Sequence, residues 1–150
     1  HGAIRGKASV AIDLKDLEDL ARLKSMILRA DILIKNFKVG GLTKFGLDFD
    51  SLHAAHPALV CCFVTGFGQD RPYASRAGYD FLVQGMFSIM SLTGELEGQP
   101  QKMGGAFVDI SSSLYSVIGI QAALAARARS GLEQHVDISL LDSMTVVLAN

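Results

Sequence analysis

The chain has 150 residues, 49% of them hydrophobic, and its 14 Lys and Arg nearly balance its 15 Asp and Glu, for a net charge of −1. That balance argues against the basic surface that nucleic acid or an anionic membrane would select. The length suffices for one domain with a real core. The first residues, His1-Gly2-Ala3, lack an initiator methionine, and Asn150 falls inside an apolar helical pattern, so the chain is expected to be the central piece of a larger protein. No stretch is expected to span a membrane, because Gln121 and Arg127 interrupt the best apolar run. Cys61 and Cys62 are adjacent in an expected strand, where neighbouring side chains point to opposite faces. No disulfide joins them on this reading, and a reducing cytoplasm fits. His1, His53, His56 and His135 are scattered without a cysteine or carboxylate cluster, so no metal site is expected.

Taken in order, residues 8–14 (ASVAIDL) read as a buried strand. Asp16 opens a helix that runs to Arg29, with Leu17, Leu20, Leu23, Ile27 and Leu28 on one side. Residues 31–34 form a second strand, which completes a βαβ unit with parallel strands and a right-handed crossover. Gly40-Gly41 breaks the chain before a short helical turn at residues 42–45. A helix over residues 50–56 stops at Pro57. Residues 59–65 (LVCCFVT) are continuously apolar, as in a strand buried on both faces. A loop follows through Gly66-Phe67-Gly68. Residues 80–92 read as one helix rich in Met and Phe, and residues 93–105 as a surface loop. A long apolar helix runs from Asp109 to a stop at Gly131. Residues 134–139 alternate as a strand, and a further helix starts at Leu140. The expected class is α/β, a Rossmann-like doubly wound and mainly parallel sheet flanked by helices. Ligands in such sheets bind beyond the carboxyl ends of the strands, where Lys15, Lys38 and Lys44 would add positive charge. Gly66-Phe67-Gly68 lacks the third glycine of a dinucleotide fingerprint.

Asp109 stands at the mouth of the long helix, after Gly104-Gly105. Two readings fit that position. The carboxylate can cap the first turn, or it can be a nucleophile kept ionised by the helix N-terminus. Periodicity does not separate them.

Six stretches together resemble one family: residues 5–15 (RGKASVAIDLK), 30–37 (ADILIKNF), 41–47 (GLTKFGL), 65–69 (TGFGQ), 77–81 (AGYDF) and the run from Asp109 to Asp142. In this order and spacing they resemble the family III CoA-transferases, the group of formyl-CoA transferase and crotonobetainyl-CoA:carnitine CoA-transferase. The resemblance implies the central part of a large Rossmann-like CoA-binding domain, without the chain's N-terminal start or the small domain. It implies that Asp109 attacks an acyl-CoA thioester and passes through anhydride and aspartyl-CoA thioester intermediates, with Asp80 as an acidic neighbour. It places Ile12, Gly41 and Phe45 around the adenine ring, Lys15 and Lys44 near its phosphates, Asn36 and Phe37 along the CoA path, and Tyr79 beside Asp80. Lys44 stands where arginine is usual, and Ala77 where some members carry lysine, with Arg76 next door as a substitute. The implied partners are acyl-CoA and a free carboxylic acid, used as substrates with no tightly bound cofactor, and an interlocked homodimer. Racemase-type relatives use the aspartate as an acid/base with a histidine in a Gly-His-Asp stretch. Here that position is Tyr79, a poor base at neutral pH. A domain that binds CoA without turnover is the third reading, and the carboxylate pair Asp80 and Asp109 speaks against it.

Overall fold

The structure, a computed structural model, describes residues 4–149. His1 and Asn150 lie outside the described residues. The chain divides into two compact units between Ala30 and Asp31.

In the first unit, α1 spans Leu17–Ile27. Asp16 caps it by accepting from the N–H groups of Glu18 and Asp19, each at 2.9 Å. Glu18 and Asp19 in the first turn and Lys24 in the last complement the helix dipole. The strand expected over residues 8–14 does not form: the segment joins no ladder. Apolar content does not make a strand unless a neighbour takes up its backbone groups. Here Asp13 instead donates its N–H to the Asp19 carboxylate at 2.9 Å, and the chain turns into the helix. The βαβ unit expected from this strand is therefore absent as well.

The second unit is built on three parallel strands, β1 (Ile32–Lys35), β2 (Val60–Thr65) and β3 (His135–Ser139), in the order β1-β2-β3. Cys62 lies opposite Ile34 on one side and Val136 on the other. The central strand is the continuously apolar one, and Val60, Cys61 and Cys62 are fully buried. Both cysteines are free. One sheet face carries α5 (Phe107–Ser130). A methyl group at Gly119 would stand 2.7 Å from Val136 Cγ1, so only glycine lets this helix lie so close to β3. The other face meets α2 (Phe49–Ala55), whose Phe49 ring stacks on His135 at 4.5 Å. His135 in turn packs edge-on to Phe63 at 4.7 Å, and Lys35 Nζ lies 3.7 Å from the Phe63 ring centre. Helices on both faces make the sheet doubly wound. His53 of α2 has one carboxylate partner, Glu133, whose Oε1 reaches its Nδ1 at 2.5 Å from 80 residues away.

The helix expected over residues 80–92 is two helices, α3 (Asp80–Met86) and α4 (Ile89–Thr93). Ser88, at φ 59°, turns the chain between them. The break returns Ile89 to the cluster that holds Val83, Val108, Leu140 and Met144, the last two from α6 (Leu140–Leu148). A straight helix would lose that contact. α5 has the length and composition to cross a membrane, so Gln121 and Arg127 do not disqualify it as expected. Its inner side nevertheless lies on the sheet, and Arg127 at its far end donates to the carbonyls of Asp31 and Ala58.

Gly66 and Gly78 touch backbone to backbone. A methyl group on Gly66 would stand 2.4 Å from the Gly78 Cα, and one on Gly78 would stand 2.3 Å from the Gly66 Cα. Neither obstacle is a side chain that can swing away. Gly66→Ala is therefore expected to lower unfolding stability by about 1–3 kcal/mol or more. Urea unfolding checks this, and an unchanged midpoint contradicts the close approach.

Candidate active site

The carboxyl ends of the strands face a cavity of about 470 Å³. Asn36, Phe37 and Lys38 enter it directly after β1, and Thr65 and Gly66 at the end of β2. The Gly66–Gly78 contact lays the next segment across the strand end, which brings in Arg76, Tyr79 and Asp80. The N-terminus of α5 supplies Asp109. The residues expected to line the CoA path and the two carboxylates thus share one cavity, and Lys38 joins them. Gly41, Lys44 and Phe45 do not line it. They sit in the turn after β1, where the Gly41 N–H donates to the Lys38 carbonyl at 2.9 Å and Lys44 Nζ lies 4.9 Å from the Phe45 ring centre. Ile12 and Lys15 belong to the first unit, where the Lys15 N–H donates to the Asp13 carboxylate at 2.9 Å.

The capping reading of Asp109 does not hold. The helix begins two residues earlier, at Phe107, and Ala106 in the cap position has no side chain that accepts. Asp80 takes that role from 28 residues away. Its Oδ2 accepts from the N–H groups of Val108 at 2.8 Å and Asp109 at 3.1 Å. These donors would otherwise point unpaired toward the cavity. The other oxygen of Asp80 accepts from Gln84 Nε2 at 2.5 Å, and Gln84 Oε1 accepts from the Met103 N–H at 3.0 Å. Gln84 was not apparent as a site residue. Its only sequence signal is its place four residues after Asp80, one turn along a helix.

With Asp80 as the cap, the Asp109 carboxylate is released. Among the described residues none donates a hydrogen bond to it. Partial burial pushes its carboxyl above the ordinary value of 3.8, and the charge of Asp80 adds to the rise. The helix N-terminus does not reverse that direction. A raised carboxylate is a more basic and hence better nucleophile, and it burdens the fold when ionised.

The native state holds the Asp109 proton more tightly than the unfolded chain does. The group therefore contributes stability below its ordinary value, and that contribution is lost as pH rises through the folded value. Asp109→Asn removes the charge and is expected to melt at a higher temperature at neutral pH. The advantage should shrink as pH falls toward 3.8. Thermal melts across that range check the sign, and a lower melting temperature for the variant at neutral pH contradicts it.

The sequence profile described as CoA-transferase family III matches residues 1–150. The chain is 51% identical over 150 residues to a succinate–glutarate CoA-transferase of Agrobacterium fabrum, covering all of this chain and 38% of that protein. It is 37% identical over 145 residues to an acetyl-CoA:oxalate CoA-transferase of Acetobacter aceti, covering 96% of this chain and 37% of the relative. A crystal structure of a CaiB/BaiF family protein from Brucella suis superposes with a TM-score of 0.94 at 53% identity, over 97% of this chain and 38% of that one. The chain thus spans well under half the length of these relatives. On the profile match and these identities, the chain belongs to CoA-transferase family III.

Proposed function

We propose that the protein moves CoA from an acyl-CoA thioester to a free carboxylic acid, with Asp109 as the covalent nucleophile. The observation that carries this reading is a raised, uncommitted carboxylate in the strand-end cavity, on a helix whose cap is supplied by another residue. An Asp109 carboxylate oxygen attacks the thioester carbonyl carbon, the C–S bond breaks, and CoA leaves as thiolate. The product is a mixed anhydride. The thiolate then attacks Asp109 Cγ, the anhydride C–O bond breaks, and the donor acid leaves as a carboxylate. Asp109 is now a CoA thioester. The acceptor carboxylate attacks Cγ and expels the thiolate, which attacks the acceptor's acyl carbon. Asp109 departs as the original carboxylate. Charge balances at each step without a proton, and a difficult exchange becomes four acyl substitutions.

The cavity supports the binding side of this reading. Asn36 and Phe37 suit the CoA arm, and Lys38 and Arg76 are cations for its phosphates. Ile12, Lys15, Gly41, Lys44 and Phe45 keep the adenine and phosphate roles that the resemblance implies. The Val108 and Asp109 amides are engaged by Asp80, so oxyanion stabilisation must come from other donors. The relatives' names favour short dicarboxylic acids, with succinyl-CoA as the first donor to try. The apolar outer face of α5, with Ile110, Leu114, Val117 and Ile118 exposed, supports a homodimer as the working form. Two buried free cysteines support a reducing, cytoplasmic setting.

Asp109→Ala in the full-length protein is expected to lower CoA transfer at least about 10³-fold. CoA affinity should stay within about threefold, because binding rests on other residues. Exchange assays and calorimetric CoA titration check the two halves. Transfer close to the wild-type rate in the variant removes Asp109 from the chemistry.

A further inference from the structure

We propose that Gln84 is a positioning residue for this chemistry, acting through Asp80 to fix where Asp109 stands. The role rests on Asp109 being the nucleophile, as proposed above. Gln84 is a polar side chain at 1% exposure, so it cannot touch substrate, and burying an amide is costly unless its groups are paired. Both of its ends are engaged at the site. An ionised Asp80 can only accept, and the Met103 N–H can only donate. The amide must therefore present its NH₂ to Asp80 and its oxygen to Met103, at 2.5 Å and 3.0 Å. No other orientation satisfies both partners. Gln84 thereby ties two pieces together: α3, whose Asp80 carboxylate holds the first amides of α5, and the segment leading into α5.

The chemistry of the pair makes this role testable. A carboxyl group in place of the amide still accepts from Met103. When protonated it also donates to Asp80, and when ionised it repels Asp80. The charged groups nearby are Asp80 on α3, Asp109 on α5, and Lys102 beside Met103 in sequence. α6 and α4 meet α3 through apolar Leu140, Met144 and Ile89. Two like carboxylates in a buried setting raise the protonation range of the introduced group toward neutrality.

The full-length protein carrying Gln84→Glu is expected to transfer CoA at least about tenfold more slowly than wild type near about pH 8 and to approach it within about threefold near about pH 6. The loss should fall on kcat, with the KM for acyl-CoA changed less than about threefold, because Gln84 does not contact substrate. Gln84→Met keeps the volume and loses all three side-chain bonds, to Asp80, Met103 and the more distant Gly105 carbonyl at 3.5 Å, so it should be slow at every pH. Hydrogen exchange, which needs no activity, should show the Val108 and Asp109 amides of Gln84→Met exchanging at least about tenfold faster than wild type, with the middle of α5 unchanged. A pH-independent ratio for Gln84→Glu, its failure to fold at any pH, or unchanged exchange at Val108 and Asp109 overturns the role. If Gln84→Met does not fold, the Gln84→Glu profile decides alone. A wild-type protein without transfer activity would sink the functional reading, while the exchange measurement would still decide whether Gln84 holds the helix start.

Discussion

The site depends on one remote cap. The first N–H groups of an α-helix have no partner within the helix. In α5 two of them are taken by a carboxylate from another helix, the Oδ2 of Asp80. A local cap would have used the side chain of the residue before Phe107, but that residue is Ala106. The substitution has two effects. It locks α3 to α5 at the mouth of the cavity. It also leaves Asp109, on the first turn, with a carboxylate that no structural duty holds. A nucleophile needs that freedom. The same contact places two carboxylates close enough for one to raise the other.

The rest of the fold brings that pair to the strand ends. The sheet is thin, and β2 at its centre is apolar along its length. Gly119 lets α5 approach β3, and the Gly66–Gly78 contact presses the segment before α3 onto the end of β2. The first is an approach to the Val136 side chain and the second is backbone against backbone, and an added methyl group would collide at either. The burden of an elevated carboxylate falls on this frame. If Asp109 is the nucleophile proposed above, stability is given up there in exchange for reactivity, a common pattern at catalytic positions.

Much of the scaffold was legible because its signals are local. A continuous apolar run marked β2, and Asp16 followed by apolar residues at helical spacing marked α1. Alternation marked β3, and Gly131 marked the end of α5, where it stands at φ 73°. The failures involve partners distant in sequence. Residues 8–14 have strand composition, but among the described residues no strand pairs with them. The break at Ser88 follows from where Ile89 must pack, which no propensity encodes. Asp80 and Asp109 are 29 residues apart, so no periodicity could show that the first caps the helix of the second. Gln84 was invisible for the same reason: its significance lies in Asp80 and Met103 together. The family resemblance supplied Asp109, Asp80, Asn36, Phe37, Arg76 and Tyr79 as site residues, and the cavity gathers them.

The most direct test of the account follows oxygen. If the acceptor acid attacks the Asp109 thioester and Asp109 then leaves the second anhydride, one acceptor oxygen stays on the aspartate in each turnover. The full-length protein would be incubated with acyl-CoA and an acceptor acid whose carboxyl oxygens are ¹⁸O, then digested and analysed by mass spectrometry. Covalent chemistry at Asp109 predicts a gain of about 2 Da for each transferred oxygen, confined to Asp109 and dependent on acyl-CoA. Productive CoA transfer with no label on Asp109, or with label on another carboxylate, would contradict it.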